Sequence, residues 1–135
     1  MTAPESGDMI TSHSMELALY PASCLVVLRF VAAVSLTGKH GETLVDALRR
    51  VIVDGERFAL LADAKEVRGT DGDYRAVTGK FFGQHRDNAR IALVNLGPVI
   101  RVVAEMFRVG IGLRMKTFSD EAAARVWLRT QGINA

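Results

Sequence analysis

Short apolar runs alternate with amphipathic segments between residues 58 and 118. The apolar runs cover residues 58–62, 91–94 and 113–118, and the two segments between them carry apolar side chains at helical spacing. This alternation is typical of parallel strands that are joined by crossover helices. The pattern therefore predicts an α/β fold with parallel strands at its centre.

The residues before this stretch predict two more strands. Met15, Leu17 and Leu19 alternate with their neighbours, which is the period of a strand with one buried face. Residues 24–34 are apolar on both faces except at Arg29, so we expect that strand in the sheet interior. The Pro-Ala-Ser segment between the two runs predicts a tight reversal. The first two strands should therefore pair antiparallel.

Four helices are predicted around the sheet. The first is centred on residues 44–52, the second covers about 73–86, and the other two follow Gly97 and Ser119. Asp73 and Ser119 are the expected N-caps, because their side chains can accept from the free amides of a first turn. The apolar positions of the third helix are Val99, Val102, Val103, Met106 and Phe107. The predicted fold is a single α/β domain with a mixed five-stranded sheet, its first strand antiparallel, and four helices.

Length and composition favour one domain. The chain has 135 residues, of which 49% are hydrophobic, enough for one continuous core. Residues 1–14 have no strand or helix pattern, so we expect a flexible leader, followed by one domain over residues 15–135. The formal charge is only +2, and the 17 basic residues are interleaved with 15 acidic ones. A nucleic-acid surface is not expected, because such a surface shows clustered basic residues.

The chain shows no sign of secretion or of membrane insertion. Cys24 is the only cysteine, which excludes an internal disulfide and suits a reducing compartment. The most apolar segment, residues 25–34, is too short for a transmembrane helix and carries Arg29. The first residues do not have the composition of a signal peptide. We therefore expect a cytoplasmic protein without an integral membrane segment.

No motif predicts catalysis, a cofactor or a metal. The Gly-Lys-His-Gly segment at residues 38–41 lacks the spacing and the Ser or Thr of a phosphate-binding P-loop. His13, His40 and His85 have no second ligand at the spacing of a zinc site. A Gly-x-Ser-x-Gly elbow is absent from the sequence. We therefore expect a protein that is not an enzyme and binds no cofactor.

The loop over residues 63–73 is the candidate contact surface for a protein partner. It follows the carboxyl end of a predicted strand and precedes a helix, which is the edge where open sheets usually place their sites. An Asp-Gly-rich loop is also ordinary connecting structure. The predicted contact residues are Asp63, Lys65, Arg68, Thr70, Asp71 and Tyr74.

Two alternatives involve the helices. Large apolar side chains could hold a small apolar or lipid-like ligand between the helices, although such side chains are more often plain core. The candidate lining residues are Tyr74, Phe81, Phe82, Met106 and Phe107. Gly79 and Gly83 let another backbone approach the second helix, either in a homodimer or within the same domain.

The order of elements from Met15 to Gln131 resembles a known family. The run Phe-Ala-Leu-Leu-Ala-Asp at residues 58–63 precedes a variable loop, and residues 113–118 precede an acidic-capped helix with Trp127. These features resemble the SpoIIAA-like branch of the STAS superfamily, over almost the whole chain after the leader. The resemblance implies the fold of anti-sigma-factor antagonists, which is also compared with that of CRAL-TRIO lipid-transfer domains.

The resemblance also implies a function. STAS domains are non-enzymatic modules that bind protein partners, including anti-sigma-factor kinases, and the antagonists carry an Asp-Ser-x-Gly sequence whose serine is phosphorylated. The matching segment here reads Gly-Thr-Asp-Gly over residues 69–72, and Thr70 is the nearest hydroxyl. We therefore expect a STAS-like regulatory or protein-interaction module. The alternative is a carrier or sensor of a small apolar ligand.

Overall fold

Eight strands and four helices follow one another along residues 8–135, the part of the chain that the computed structural model describes. The strands are β1 (Asp8–Ser12), β2 (Met15–Tyr20), β3 (Leu25–Phe30), β4 (Val34–Leu36), β5 (Phe58–Asp63), β6 (Val67–Thr70), β7 (Ala89–Val94) and β8 (Arg114–Phe118). The helices are α1 (Gly38–Arg49), α2 (Gly72–Gln84), α3 (Pro98–Ile111) and α4 (Glu121–Thr130).

The main sheet is mixed, as the sequence predicts. Its strand order is β1-β2-β3-β5-β7-β8, and the last four strands run parallel to one another. The antiparallel pairing of β2 with β3 is confirmed, with Leu17 opposite Leu28. The predicted count of five strands is wrong. The main sheet has six strands, and β4 and β6 form a separate two-stranded sheet.

Strand β1 lies inside the segment that was expected to be a flexible leader. It pairs antiparallel with β2, with Ile10 opposite Leu17. The expectation is wrong for residues 8–12, and residues 1–7 lie outside the described part of the chain. Only Ile10 packs against the core cluster, so this edge strand has almost no apolar alternation that the sequence could reveal.

Strand β6 lies inside the segment that was expected to be a loop. It pairs parallel with β4, and Leu36 is the partner of Thr70. Val67 is the one residue of β6 that is buried, so the strand also lacks a periodic apolar signal. The connection from β5 to α2 is therefore partly a strand of a second sheet.

The helix starts also differ from prediction. The N-cap of α2 is Asp71 and not Asp73, because the Asp71 carboxylate accepts from the Tyr74 amide at 2.7 Å. The N-cap of α4 is Asp120 and not Ser119, with a bond of 2.8 Å from the Ala123 amide. Asp and Ser are both suitable N-cap residues, so residue type does not distinguish the two candidates for each helix. The residue at which the folded helix begins decides which of the two is the cap.

Helices cover both faces of the main sheet. The first three contribute to one face, where Leu48, Phe81 and Phe107 pack against strand residues such as Phe58. On the other face α4 packs alone, through Ala124 and Leu128. The predicted contact segment over residues 63–73 begins at the carboxyl edge of the parallel strands.

Candidate functional site

The β5–α2 segment, residues 63–75, lies at the carboxyl edge of the sheet. Asp63 ends β5, and its carboxylate accepts from the Lys65 amide at 3.0 Å. The side-chain amide of Asn95, which follows β7, lies 3.3 Å from both carboxylate oxygens of Asp63. Asp63 therefore joins the start of the segment to the neighbouring strand connection.

Lys65 and Arg68 are exposed on the outside of this segment. The Arg68 guanidinium donates to the Lys65 carbonyl at 3.1 Å and lies 3.7 Å from the Glu66 carboxylate. This network fixes the backbone between β5 and β6 and leaves the Lys65 ammonium in solvent. The two cations are thus presented by an ordered segment.

Thr70 is partly buried and its oxygen atoms are engaged by a neighbouring arginine. Its hydroxyl and its carbonyl both accept from the Arg75 guanidinium, at 2.9 and 2.8 Å. The Asp71 carboxylate already occupies the N-terminus of α2, where a phosphate would otherwise gain from the helix dipole. Its negative charge would also repel a phosphate on the neighbouring residue.

Tyr74 lies half-buried at the start of α2. Its half-buried ring packs close to Gly41, where the Cβ of any larger residue would lie 3.5 Å from Tyr74 Cδ1. Burial raises the pKa of the Tyr74 phenol to about 12. The Tyr74 side chain also lines the apolar cavity that is described next.

An apolar cavity of about 100 Å³ lies between the main sheet, the small sheet, α2 and α3. Tyr74, Phe82 and Phe107 line it, as the sequence predicts. The other two predicted lining residues do not. Phe81 packs against Phe58 with ring centroids 6.1 Å apart, and Met106 points outward and is 61% exposed.

The two glycines of α2 contact the neighbouring helix. A Cβ at Gly79 would lie 3.8 Å from Ile111 and 3.9 Å from Phe107, and one at Gly83 would lie 3.9 Å from Ile111. The small residues thus allow α2 and α3 to approach within the domain, which is the second of the two interpretations that the sequence left open.

The family of the chain follows from its sequence together with this fold. Residues 27–129 match the family model that is described as SpoIIAA-like. The chain belongs to the SpoIIAA-like family. This is the branch of the STAS superfamily that the sequence resembles. No curated protein matches the chain.

Solved structures share the SpoIIAA-like fold. An uncharacterised DUF3478-family protein from Shewanella loihica has a TM-score of 0.62 at 17% identity, over 95% of this chain and 98% of its own. The anti-sigma factor antagonist SpoIIAA in its unphosphorylated form has a TM-score of 0.54 at 16% identity, over 88% and 99%. The Bacillus cell fate determinant SpoIIAA in its phosphorylated form has a TM-score of 0.57 at 16% identity, over 84% and 98%. Identities this low show the fold alone.

The outer face of α3 is an unexpected feature of this SpoIIAA-like domain. The exposed apolar side chains along it are Val99, Val102, Met106 and Val109. The opposite face turns Val103 and Phe107 toward the cavity and buries Ile100 and Ala104. The sequence shows that α3 is rich in apolar residues, but it does not show that they divide between two faces.

Within residues 8–135, no three His, Cys, Asp or Glu side chains come together in a way that would hold a metal ion. His40 is buried, and its Nε2 lies 3.0 Å from the His13 carbonyl, which ties α1 to the turn after β1. Among the described helices none is long and apolar enough to cross a membrane.

Proposed function

We propose that this SpoIIAA-like domain is a non-catalytic regulatory module that captures a protein partner on its β5–α2 segment. The observation that carries the proposal is the exposed pair Lys65 and Arg68, held on an ordered segment at the carboxyl edge of the sheet. A preordered contact surface loses less conformational entropy on binding than a mobile loop does. The likeness in fold to an anti-sigma factor antagonist supports the same class of function.

The surface offered to the partner consists of Lys65 and Arg68, because the Asp71 carboxylate caps α2. Asp63 and Thr70 have their polar atoms engaged inside the domain. Tyr74 packs toward the cavity, so its replacement would test folding and not binding. The two cations predict that the partner presents at least one carboxylate to this surface, since opposite charges across an interface set register and association rate.

A photo-crosslinking experiment tests the proposal. The crosslinking residue p-benzoylphenylalanine replaces Lys65 in one variant and Arg50 in a matched control, and each variant of the full chain is expressed in the cells that naturally make the protein. Arg50 is exposed and follows the last residue of α1. We expect a discrete crosslinked protein from position 65 that is absent from position 50.

The affinity of the identified partner then completes the test. The double variant Lys65→Ala, Arg68→Ala should weaken binding by about tenfold or more, as for loss of charged interface contacts, whereas Arg50→Ala should not change it. The same crosslinks from both positions, or full affinity in the double variant, would contradict the proposal.

A second candidate function is carriage of a small apolar ligand, because the cavity beneath α3 is lined almost wholly by apolar side chains. An apolar cavity of about 150 Å³ holds a benzene-sized molecule, so about 100 Å³ is too small for an acyl chain in this conformation. Native and denaturing mass spectra of gently purified protein test it. A non-covalent adduct supports carriage, and a bare chain mass contradicts it.

A further inference from the structure

Arg90 is a buried cation that forms no ion pair with a carboxylate among the described residues. It lies in β7 on the face that α4 covers, and the residue is only 2% exposed. Its Nη1 donates to the carbonyls of Asp87 and Ala89, at 2.9 and 3.0 Å. Its Nε is buried and has no hydrogen-bond partner within the described residues.

Two further arginines lie beside it at the amino edge of the parallel strands. Arg114 is the register partner of Arg90 on β8, so both side chains lie on the same face of the sheet. Arg57 directly precedes β5 and comes two residues before Ala59, which is the register partner of Arg90 on the other side. Arg57 and Arg114 are both exposed.

This arginine cluster, Arg57, Arg90 and Arg114, lacks carboxylate partners. Every ion pair found within residues 8–135 involves other arginines. Arg57 donates to the Gln131 carbonyl at the end of α4, at 2.8 Å. Burial, Arg57 and Arg114 each act to lower the pKa of the Arg90 guanidinium, and only Asp87 opposes them. Two arginines and one aspartate thus act on the Arg90 charge, with the arginines in excess.

A buried cation of this kind calls for an anion. Buried charges in proteins are normally paired, and an unsatisfied buried N–H points to a missing ion or water. Guanidinium groups bind carboxylate and phosphate oxygens with two parallel hydrogen bonds. A phosphate offers more oxygens and more charge than a carboxylate, and so it suits three arginines better than a carboxylate does.

We propose that Arg57, Arg90 and Arg114 form a binding site for a phosphate group, either inorganic phosphate or a phosphate monoester. Arg57 also borders an open cleft of about 330 Å³ that Cys24, Glu56 and Asn134 help to line. This cleft has room for the organic part of a monoester, and the Glu56 carboxylate disfavours a second anionic group there. The site lies at the opposite edge of the sheet from the β5–α2 segment and does not rest on the proposed function.

Nuclear magnetic resonance of the full chain tests the site. Inorganic phosphate and phenyl phosphate are titrated separately, and sodium chloride at matched ionic strength is the reference. We expect saturable shifts of the Arg90 Nε–Hε signal with phosphate or with phenyl phosphate. Chloride should produce no saturable shift, because it does not match the fork geometry of guanidinium.

Exposed-residue variants keep the test independent of folding. The double variant Arg57→Gln, Arg114→Gln retains buried Arg90 and should bind at least about tenfold more weakly, as expected for loss of charged hydrogen bonds. Arg50→Gln removes one exposed charge outside the cluster and should leave the affinity unchanged. Shifts that chloride reproduces, or undiminished affinity in the double variant, would overturn the assignment.

Discussion

Asp63 and Asn95 meet across the carboxyl edge of the sheet, where the Asn95 side-chain amide lies 3.3 Å from both oxygens of the Asp63 carboxylate. Asp63 ends β5 and Asn95 follows the neighbouring parallel strand β7, whose last residue, Val94, is the register partner of Asp63. Asn95 has a left-handed backbone, with φ at 62°, a conformation that asparagine tolerates better than most residues. The contact thus joins the start of the β5–α2 segment to the start of the α3 connection.

The substitution Asp63→Ala should loosen this edge. It removes the acceptor for the Lys65 amide and for Asn95, and it should lower the free energy of unfolding by about 1 kcal/mol. Urea denaturation measures the change. Asp46→Ala is the control, because Asp46 is exposed on α1 and should have an effect near zero. Equal effects at the two positions would show that the contact does not stabilise the domain.

The substitution Asp71→Ala should destabilise α2 through loss of its N-cap. The expected cost is about 1 kcal/mol of unfolding free energy, because the Tyr74 amide loses its acceptor. Asp73→Ala is the matched control, inside the first turn of the helix and without a cap bond. Thermal or urea unfolding of both variants decides which aspartate caps the helix, and a larger loss for Asp73→Ala would reverse the assignment.

Tyr74 should make stability fall at alkaline pH. Its pKa in the folded protein is raised by burial to about 12, above the value of about 10 for an unperturbed tyrosine. Between these two values the unfolded chain binds fewer protons than the folded chain, so the free energy of unfolding decreases as pH rises. The contribution is fully present below about pH 10 and is lost as pH approaches 12.

The substitution Tyr74→Phe should remove this part of the alkaline decline. Urea midpoints measured from about pH 9 upward should fall less steeply with pH in the variant than in the unmodified chain. Tyr20→Phe provides the matched tyrosine replacement and should keep the steeper decline, since it leaves Tyr74 in place. Identical pH profiles for Tyr74→Phe and the unmodified chain would contradict the prediction.

The cavity beneath α3 should accept a larger side chain. Ala104 lines the cavity, so Ala104→Leu should change the free energy of unfolding by less than about 1 kcal/mol or raise it. Ala124 on α4 is fully buried in packed core, and Ala124→Leu should cost about 1–3 kcal/mol. Urea unfolding compares the two alanines. Equal destabilisation would mean that the space beneath α3 is not available to a side chain or to a ligand.

The exposure of the predicted contact residues followed from the sequence only in part. Lys65 and Arg68 are exposed as expected, because a charged side chain in a polar segment after a strand rarely becomes buried. Tyr74 was predicted both on this surface and among the cavity-lining residues, and it lines the cavity. A tyrosine side chain has an apolar ring and a polar hydroxyl, so it can lie either in the interior or at the surface. The neighbouring residues in the sequence do not show which of these two positions it takes.

The arginine cluster had no signal in the sequence. Arg57, Arg90 and Arg114 lie far apart along the chain, and each looks like an ordinary surface cation. Strand register places them at the same edge and on the same face, because three neighbouring parallel strands begin there. Sheet register is a tertiary property, and it alone brings these charges together.

The apolar pattern of the chain was enough to specify the strands β2, β3, β5, β7 and β8, the four helices and the family, because deep burial leaves a periodic pattern of apolar residues. The packed fold was needed to specify the strands β1 and β6, the helix caps, the two faces of α3 and the cavity. The short strands β1 and β6 are largely exposed, and α3 has apolar residues on opposite sides. The sequence of these elements therefore does not show which of their side chains become buried. For these features the neighbouring elements decide which side chains leave water.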